Sequence, residues 1–172
     1  MKVILVMVSS LDGKITKHQD PRIASWTSAE DKRLFAALIK KSALIVMGAK
    51  TYETAKDRIK LEPGKLRIVM THGPKKYHAV PGMLEFTDES PRVLVQRLKK
   101  QYHAMLLVGG GEISALFLKA KLVNELYLTL EPILFGTGKP MISPISLDLS
   151  LKLISSKKLN ARGTLSLIYT II

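Results

Sequence analysis

Three consecutive glycines, Gly109, Gly110 and Gly111, stand between an apolar run, Met105 to Val108, and a helical stripe that begins with Ile113, Leu116 and Phe117. Leu106 to Val108 have the length and composition of a buried strand. Glycine has no Cβ, so a ligand can approach the main chain there, and the N–H groups and positive dipole end of the following helix attract phosphate. A protein can hold a nucleotide in this way, although the same junction also serves as a tight turn with no ligand. A second junction has the same character. Ala43 to Met47 reads as a buried strand, and Gly48-Ala49-Lys50-Thr51 carries it into a helix start with main-chain and side-chain donors for an anion. The third candidate is Asp31, three residues before Leu34 and four before Phe35, which puts its carboxylate on the apolar face of its helix and away from Lys32 and Lys40. An acid in a first helical turn also complements the dipole, by about 0.3–1 kcal/mol at a surface, so a structural role and a site role both fit.

The elements that position these groups follow from pattern and punctuation. Val3 to Val8 is an uninterrupted apolar run, expected of a central strand in a largely parallel sheet. Ser9 to Ile15 forms a turn around Asp12-Gly13, and Thr16 to Ser25 is polar and aperiodic, a mobile loop that ends at Trp26, the only tryptophan. Thr27-Ser28-Ala29-Glu30 has capping-box spacing and predicts a helix from Thr27 to about Lys40. Leu66 to Met70 is a third strand, followed by a basic loop containing Thr71, His72, Lys75 and Lys76. A short strand is expected at Met83 to Phe86, and Ser90-Pro91 opens a helix to about Tyr102. A helix over Gly111 to Lys121 and a strand over Asn124 to Leu130 come next, then an antiparallel pair, Ser150 to Lys158 and Thr164 to Ile171. The order indicates a single three-layer α/β domain over residues 1–172.

Composition narrows the function classes. With 172 residues, 47% of them hydrophobic, the chain can bury one good core. It has no cysteine, which removes disulfides, thiolate nucleophiles and cysteine zinc sites and suits a reducing, cytoplasmic setting. No apolar run is long enough to span a membrane, and no metal site is expected. The net charge of +13 favours anionic partners. The basic residues are dispersed and aromatics make up only 6%, so a small phosphorylated molecule is expected in preference to nucleic acid.

Several stretches together resemble the dihydrofolate reductase superfamily, which includes dihydrofolate reductase and the pyrimidine reductase of riboflavin synthesis. Trp26, Asp31 and Phe35 reproduce the spacing of the folate-binding helix, and Met47-Gly48-Ala49-Lys50-Thr51-Tyr52-Glu53 is similar to the Met-Gly-Arg-x-Thr-Trp-Glu cofactor motif. Val108-Gly109-Gly110-Gly111 and Leu126-Tyr127-Leu128-Thr129 match its glycine segment and a later strand. Ser10-Leu11-Asp12-Gly13-Lys14-Ile15 and Glu131 to Pro140 resemble the riboflavin branch, but that branch usually carries an Asp-Asp-Pro where this chain has Ala55-Lys56-Asp57, and an acid where it has Val108.

The resemblance implies a dihydrofolate reductase-like fold, a mostly parallel sheet closed by a C-terminal antiparallel hairpin, and NADPH-dependent reduction of dihydrofolate or a close pterin. The alternatives are a riboflavin-branch reductase acting on a ribosylamino-pyrimidine phosphate, and a binding protein without turnover. On the folate alignment, Asp31 and Trp26 are the catalytic candidates. Val6, Met7, Phe35, Val108 and Thr129 line the pterin slot, and Lys65 or Arg67 meets the glutamate tail, where dihydrofolate reductases usually have arginine. Val8, Ile15, Gly48, Ala49, Lys50, Thr51, Thr71, His72, Gly109, Gly110, Gly111, Glu112 and Ile113 hold the cofactor. Its 2′-phosphate is expected near Lys50, Thr51, His72, Lys75 and Lys76, and the protein is expected as a monomer or homodimer.

Overall fold

In the computed structural model, which describes residues 1–172, β1 (Lys2–Ser10) lies inside an eight-stranded sheet of order β4-β3-β2-β5-β1-β6-β8-β7. Here β2 is Leu44–Gly48, β3 Leu66–Met70, β4 Leu84–Thr87, β5 Ala104–Leu107, β6 Glu125–Glu131, β7 Leu151–Lys158 and β8 Leu165–Ile171. Every pair from β4 to β6 is parallel, and β8 runs antiparallel to both of its neighbours. Parallel neighbours need crossover connections, and the helices that supply them form the outer layers.

The two-residue alternation of β1 divides the core between those layers. Val3, Leu5 and Met7 join Leu94 and Leu98 of α3 (Pro91–Leu98) and Phe117 and Leu118 of α4 (Gly111–Lys119). On the opposite face, Ile4 and Val6 join Ile45, Met47 and Val69, covered by Leu38 and Ile39 of α1 (Ala29–Lys41) and Tyr52 of α2 (Ala49–Ala55). Burying side chains such as Leu5 and Phe117 contributes about 1.5–3 kcal/mol each. The outermost strand, β7, is exposed along its whole length, and Lys152, Lys157 and Lys158 on it oppose edge-to-edge pairing with another chain.

Three expectations from sequence need correction. The first helix is capped by Ser28 rather than Thr27: the Ser28 hydroxyl accepts from Asp31 N–H at 3.2 Å, so Asp31 occupies the third helical position. Glu30, the acid of the expected capping box, pairs instead with Arg33 at 2.6 Å. The turn after β1, and with it Thr16 at the start of the loop expected to be mobile, is fixed by the segment after β6. Leu11 N–H donates to Ile133 O at 2.8 Å, Ile15 N–H to Lys139 O at 2.9 Å, and Lys139 N–H to the Thr16 hydroxyl at 2.8 Å. Pairing distant in sequence satisfies main-chain groups that a local reading leaves to water. The third helix is also shorter than expected, because the chain leaves it at Leu98 and turns at Gln101 and Tyr102.

The crossing of these two loops depends on Gly138. Its φ is +139°, and a Cβ there would collide with the Thr16 carbonyl oxygen, whereas Gly136, at φ +70°, has open space where its Cβ would be. Gly138→Ala is expected to cost about 2–4 kcal/mol in urea unfolding, and Gly136→Ala about 1 kcal/mol. Equal losses at the two positions would show that the crossing carries no tight packing.

Candidate active site

The carboxyl ends of β2 and β5 meet at a seam. Gly48 N–H donates to Gly109 O at 2.9 Å, and the two strands then part, β2 into α2 on one face of the sheet and β5 into α4 on the other. Such a switch point is where open α/β sheets bind ligands. The four glycines at the seam are there for different reasons. A Cβ on Gly48 would lie 2.8 Å from Ile113 Cγ1, and one on Gly111 would lie 2.9 Å from Pro140 O, so those two are required by the chain's own packing. Gly109 has φ +95° with nothing near its missing Cβ, and Gly110 has only the Thr51 hydroxyl, at 3.3 Å. Gly109 and Gly110 therefore form the open side of the seam. Ser114 N–H is the first in α4 to find an acceptor, Gly110 O at 3.0 Å, while the Glu112 and Ile113 N–H groups make no hydrogen bond within the chain. They are free donors at a positive helix end. Ala49, Lys50 and Thr51 open α2 on the other side.

The rim is basic and partly self-neutralised. Lys50 Nζ lies 2.6 Å from Glu112, and with Lys139 and His72 it holds the Glu112 carboxyl below the usual carboxylate range. His72, Lys75 and Lys76 are exposed beyond β3, and Thr71 N–H is held by Thr87 O at 2.8 Å.

Across the sheet from α4, Asp31 is buried, with 8% of its surface exposed. Val6, Leu34, Phe35, Leu38, Tyr127, Leu128, Thr129 and Ser166 join it around a cavity of about 10 Å³, room for about one water. A heterocycle must seat at its mouth or displace Phe35, which is 39% exposed. Burial raises the Asp31 carboxyl above the usual aspartate range; the Thr129 hydroxyl opposes this most, and the charge of Glu131 adds to it. Glu131, to which the sequence attached no role, is 3% exposed. It accepts from Ser28 N–H and from the Thr164 hydroxyl, each at 2.7 Å. Its signals in the sequence are its place at the end of β6 and at the head of the Glu131 to Pro140 stretch that resembles the riboflavin branch. Trp26 stacks edge-on against Phe135 at 5.1 Å, and its buried indole N–H has no acceptor in the chain.

The other sequence-predicted residues divide by face. Val8 pairs in register with Thr129 on the α1 side, and Val108 packs with the same layer. Met7, expected in the pterin slot, and Ile15, expected at the cofactor, both have side chains in the core on the α3 and α4 side. Strand alternation sends Met7 there, and Ile15 is drawn in by the loop that Lys139 holds. Lys65 and Arg67 lie at the start of β3, near the end of α1. Lys65 Nζ lies 3.5 Å from Lys40 O and 3.2 Å from Glu62, and buried Arg67 leaves Nη1 without a partner.

An eight-stranded sheet, parallel from β4 to β6 and closed by a C-terminal antiparallel hairpin, has the dihydrofolate reductase-like fold. Residues 1–165 match the RibD C-terminal domain family, and the chain belongs to that family. Two Bacillus subtilis relatives bear the names uncharacterized protein YwjB and uncharacterized protein YyaP. The first is 26% identical over 91% of both chains, and the second 21% identical over 98% of this chain and 94% of its own. Among solved structures, a Shewanella sp. PV-4 protein provisionally assigned to riboflavin biosynthesis superposes with TM-score 0.81 at 23% identity, covering 100% of this chain and 99% of that one. A Thermotoga maritima diaminohydroxyphosphoribosylaminopyrimidine deaminase/5-amino-6-(5-phosphoribosylamino)uracil reductase gives 0.77 at 16%, the match spanning 99% of this chain and 56% of that one. Enterococcus faecalis dihydrofolate reductase, complexed with NADP(H), gives 0.71 at 16%, over 99% and 96%.

Asp12 fixes the loops beside the seam. Its carboxylate accepts from the Ser10 hydroxyl at 2.6 Å, Phe135 N–H at 3.1 Å and Gly136 N–H at 2.8 Å, and these bonds hold its carboxyl down to about 2. A depressed acid contributes stability that is present above its unfolded pKa and is lost as pH falls through the folded one. The stability gap between wild type and Asp12→Asn should be full at neutral pH and close between about pH 4 and about pH 2. A gap that stays constant in urea titrations across that range would contradict these contacts.

Proposed function

We propose that this protein is an NADPH-dependent reductase whose substrate is a ribosylamino-pyrimidine phosphate or a close relative of one. The observation that carries the reading is the seam, with free α4 donors and open Gly109 and Gly110 on one side and the buried Asp31 on the other. Bound NADPH would supply the hydride. Gly109, Gly110, Glu112 and Ile113 would hold its pyrophosphate, and Thr51, Thr71, His72, Lys75 and Lys76 would favour the 2′-phosphate of NADPH over NADH. Lys50 reaches that phosphate only by leaving Glu112.

Asp31 would bind the donor-rich edge of the heterocycle and hold a proton for the nitrogen next to the carbon that accepts the hydride, the sugar C1′ of an open-chain ribosylamine or the imine carbon of a dihydropterin, with Phe35 against the ring face and the Trp26 indole N–H free to donate. Arg67 would meet the anionic end of the substrate. The rise of α1 from Asp31 to Lys40 sets that end about 13 Å away. Membership of the RibD C-terminal domain family supports the pyrimidine phosphate over the pterin that the folate-like motifs imply. The reading retained second, dihydrofolate, is favoured by Asp31 standing over Thr129 on the first helix.

Loss of nicotinamide absorbance with each substrate separates the two. The pyrimidine phosphate is expected to be turned over and dihydrofolate slowly or not at all, and the reverse result would restore the folate reading. Asp31→Asn should lower turnover about a hundredfold and leave NADPH affinity nearly unchanged; a parallel loss of NADPH binding would remove Asp31 from the substrate side. Arg67→Met removes a buried guanidinium with an unpartnered nitrogen, so stability should hold or rise by up to about 2 kcal/mol while KM for the phosphorylated substrate rises about tenfold or more. A destabilised variant with normal KM would make Arg67 structural only.

A further inference from the structure

Asp31 and Glu131 are two buried acids in a protein of net charge +13, and neither makes an ion pair. Buried carboxylates ordinarily sit beside a cation. Glu131 is instead supported by two short hydrogen bonds that join elements far apart in sequence. One oxygen holds the residue that caps α1, Ser28, and the other holds Thr164 at the start of β8. Thr164 in turn accepts from Asn160 Nδ2 at 3.0 Å, and Asn160 Nδ2 also reaches Glu30 at 3.1 Å. The first turn of α1, which carries Asp31, is thus fastened at Ser28 and Glu30 to the end of β6 and the turn between β7 and β8.

We propose that Glu131 is a positioning residue for Asp31, fixing the first turn of α1 through Ser28 and making the site a buried pair of acids instead of a single carboxylate. The role of Asp31 itself rests on the function proposed above. Asp31 is faced by Tyr127, Thr129 and Glu131 from β6, Val6 from β1, Ser166 from β8, and Thr27 and Lys32 from its own segment. Lys32 is exposed and screened by solvent, so Glu131 is the buried charge that acts on Asp31. With both acids ionised the pair repels, and a proton on Asp31 relieves this without breaking either Glu131 bond. A proton is thereby kept on the side of the cleft where the nitrogen next to the hydride-accepting carbon needs one.

The test needs no substrate, so it stands even if the reductase reading fails. Carboxyl carbon resonances of the ligand-free protein are followed by NMR from about pH 3 to about pH 9, with Asp31 assigned by its loss in Asp31→Asn. In wild type the Asp31 resonance should titrate above the ordinary aspartate range. In Glu131→Gln, which keeps an acceptor for Ser28 N–H but removes the charge, the Asp31 midpoint should fall by roughly half a pH unit or more. A folded Glu131→Gln protein with an unmoved Asp31 midpoint would overturn the proposal. If that variant does not fold, Glu131→Asp, which keeps the charge but draws it back by one methylene, decides: a lowered Asp31 midpoint supports the pair, and an unmoved one overturns it.

Discussion

The register that carries Gly48 N–H to Gly109 O determines most of what this protein can do. Parallel pairing of β2 and β5, Ile45 with Leu106 and Val46 with Leu107, brings the two strand ends level. Because α2 and α4 leave on opposite faces, two helix starts flank one opening. A shift of one residue would turn Val46 and Leu107 to the wrong faces and separate the glycines, so the core and the cleft are fixed by the same constraint.

The side of the sheet that carries Asp31 is built differently. Its polar groups are held by contacts across long sequence distances, Glu131 to Ser28 and Thr164, Asn160 to Glu30. Each buried hydrogen bond contributes only about 0.5–1.5 kcal/mol net, but leaving one of these acceptors unmatched would cost more, about 1–3 kcal/mol. The network stabilises modestly, and its larger effect is to allow one position for the start of α1. Lys139, through Thr16 and Ile15, does the same for the loop between β1 and Trp26.

The excess positive charge is not spent on stability. The ion pairs are chiefly exposed or half-exposed, as at Lys50 with Glu112 and Arg22 with Asp20, and such pairs contribute little. Unpaired Lys75 and Lys76 leave a positive field beyond β3, which would speed the arrival of anionic ligands at the seam.

What the sequence determined by itself was local. Strand and helix positions were legible because burial imposes a period, and β3 was read to the residue at Leu66–Met70. The glycine junctions were legible because few residues tolerate those turns, and Asp31 because an acid on an apolar helix face breaks the pattern. Only the tertiary structure decided which glycines serve packing and which stay open, since Gly111 is crowded by Pro140, a partner 29 positions along the chain. It also moved Met7 and Ile15 into the core and brought Glu131 beneath the first helix. A side chain's neighbours depend on sheet order and loop crossing, and no period within a single strand or helix encodes either.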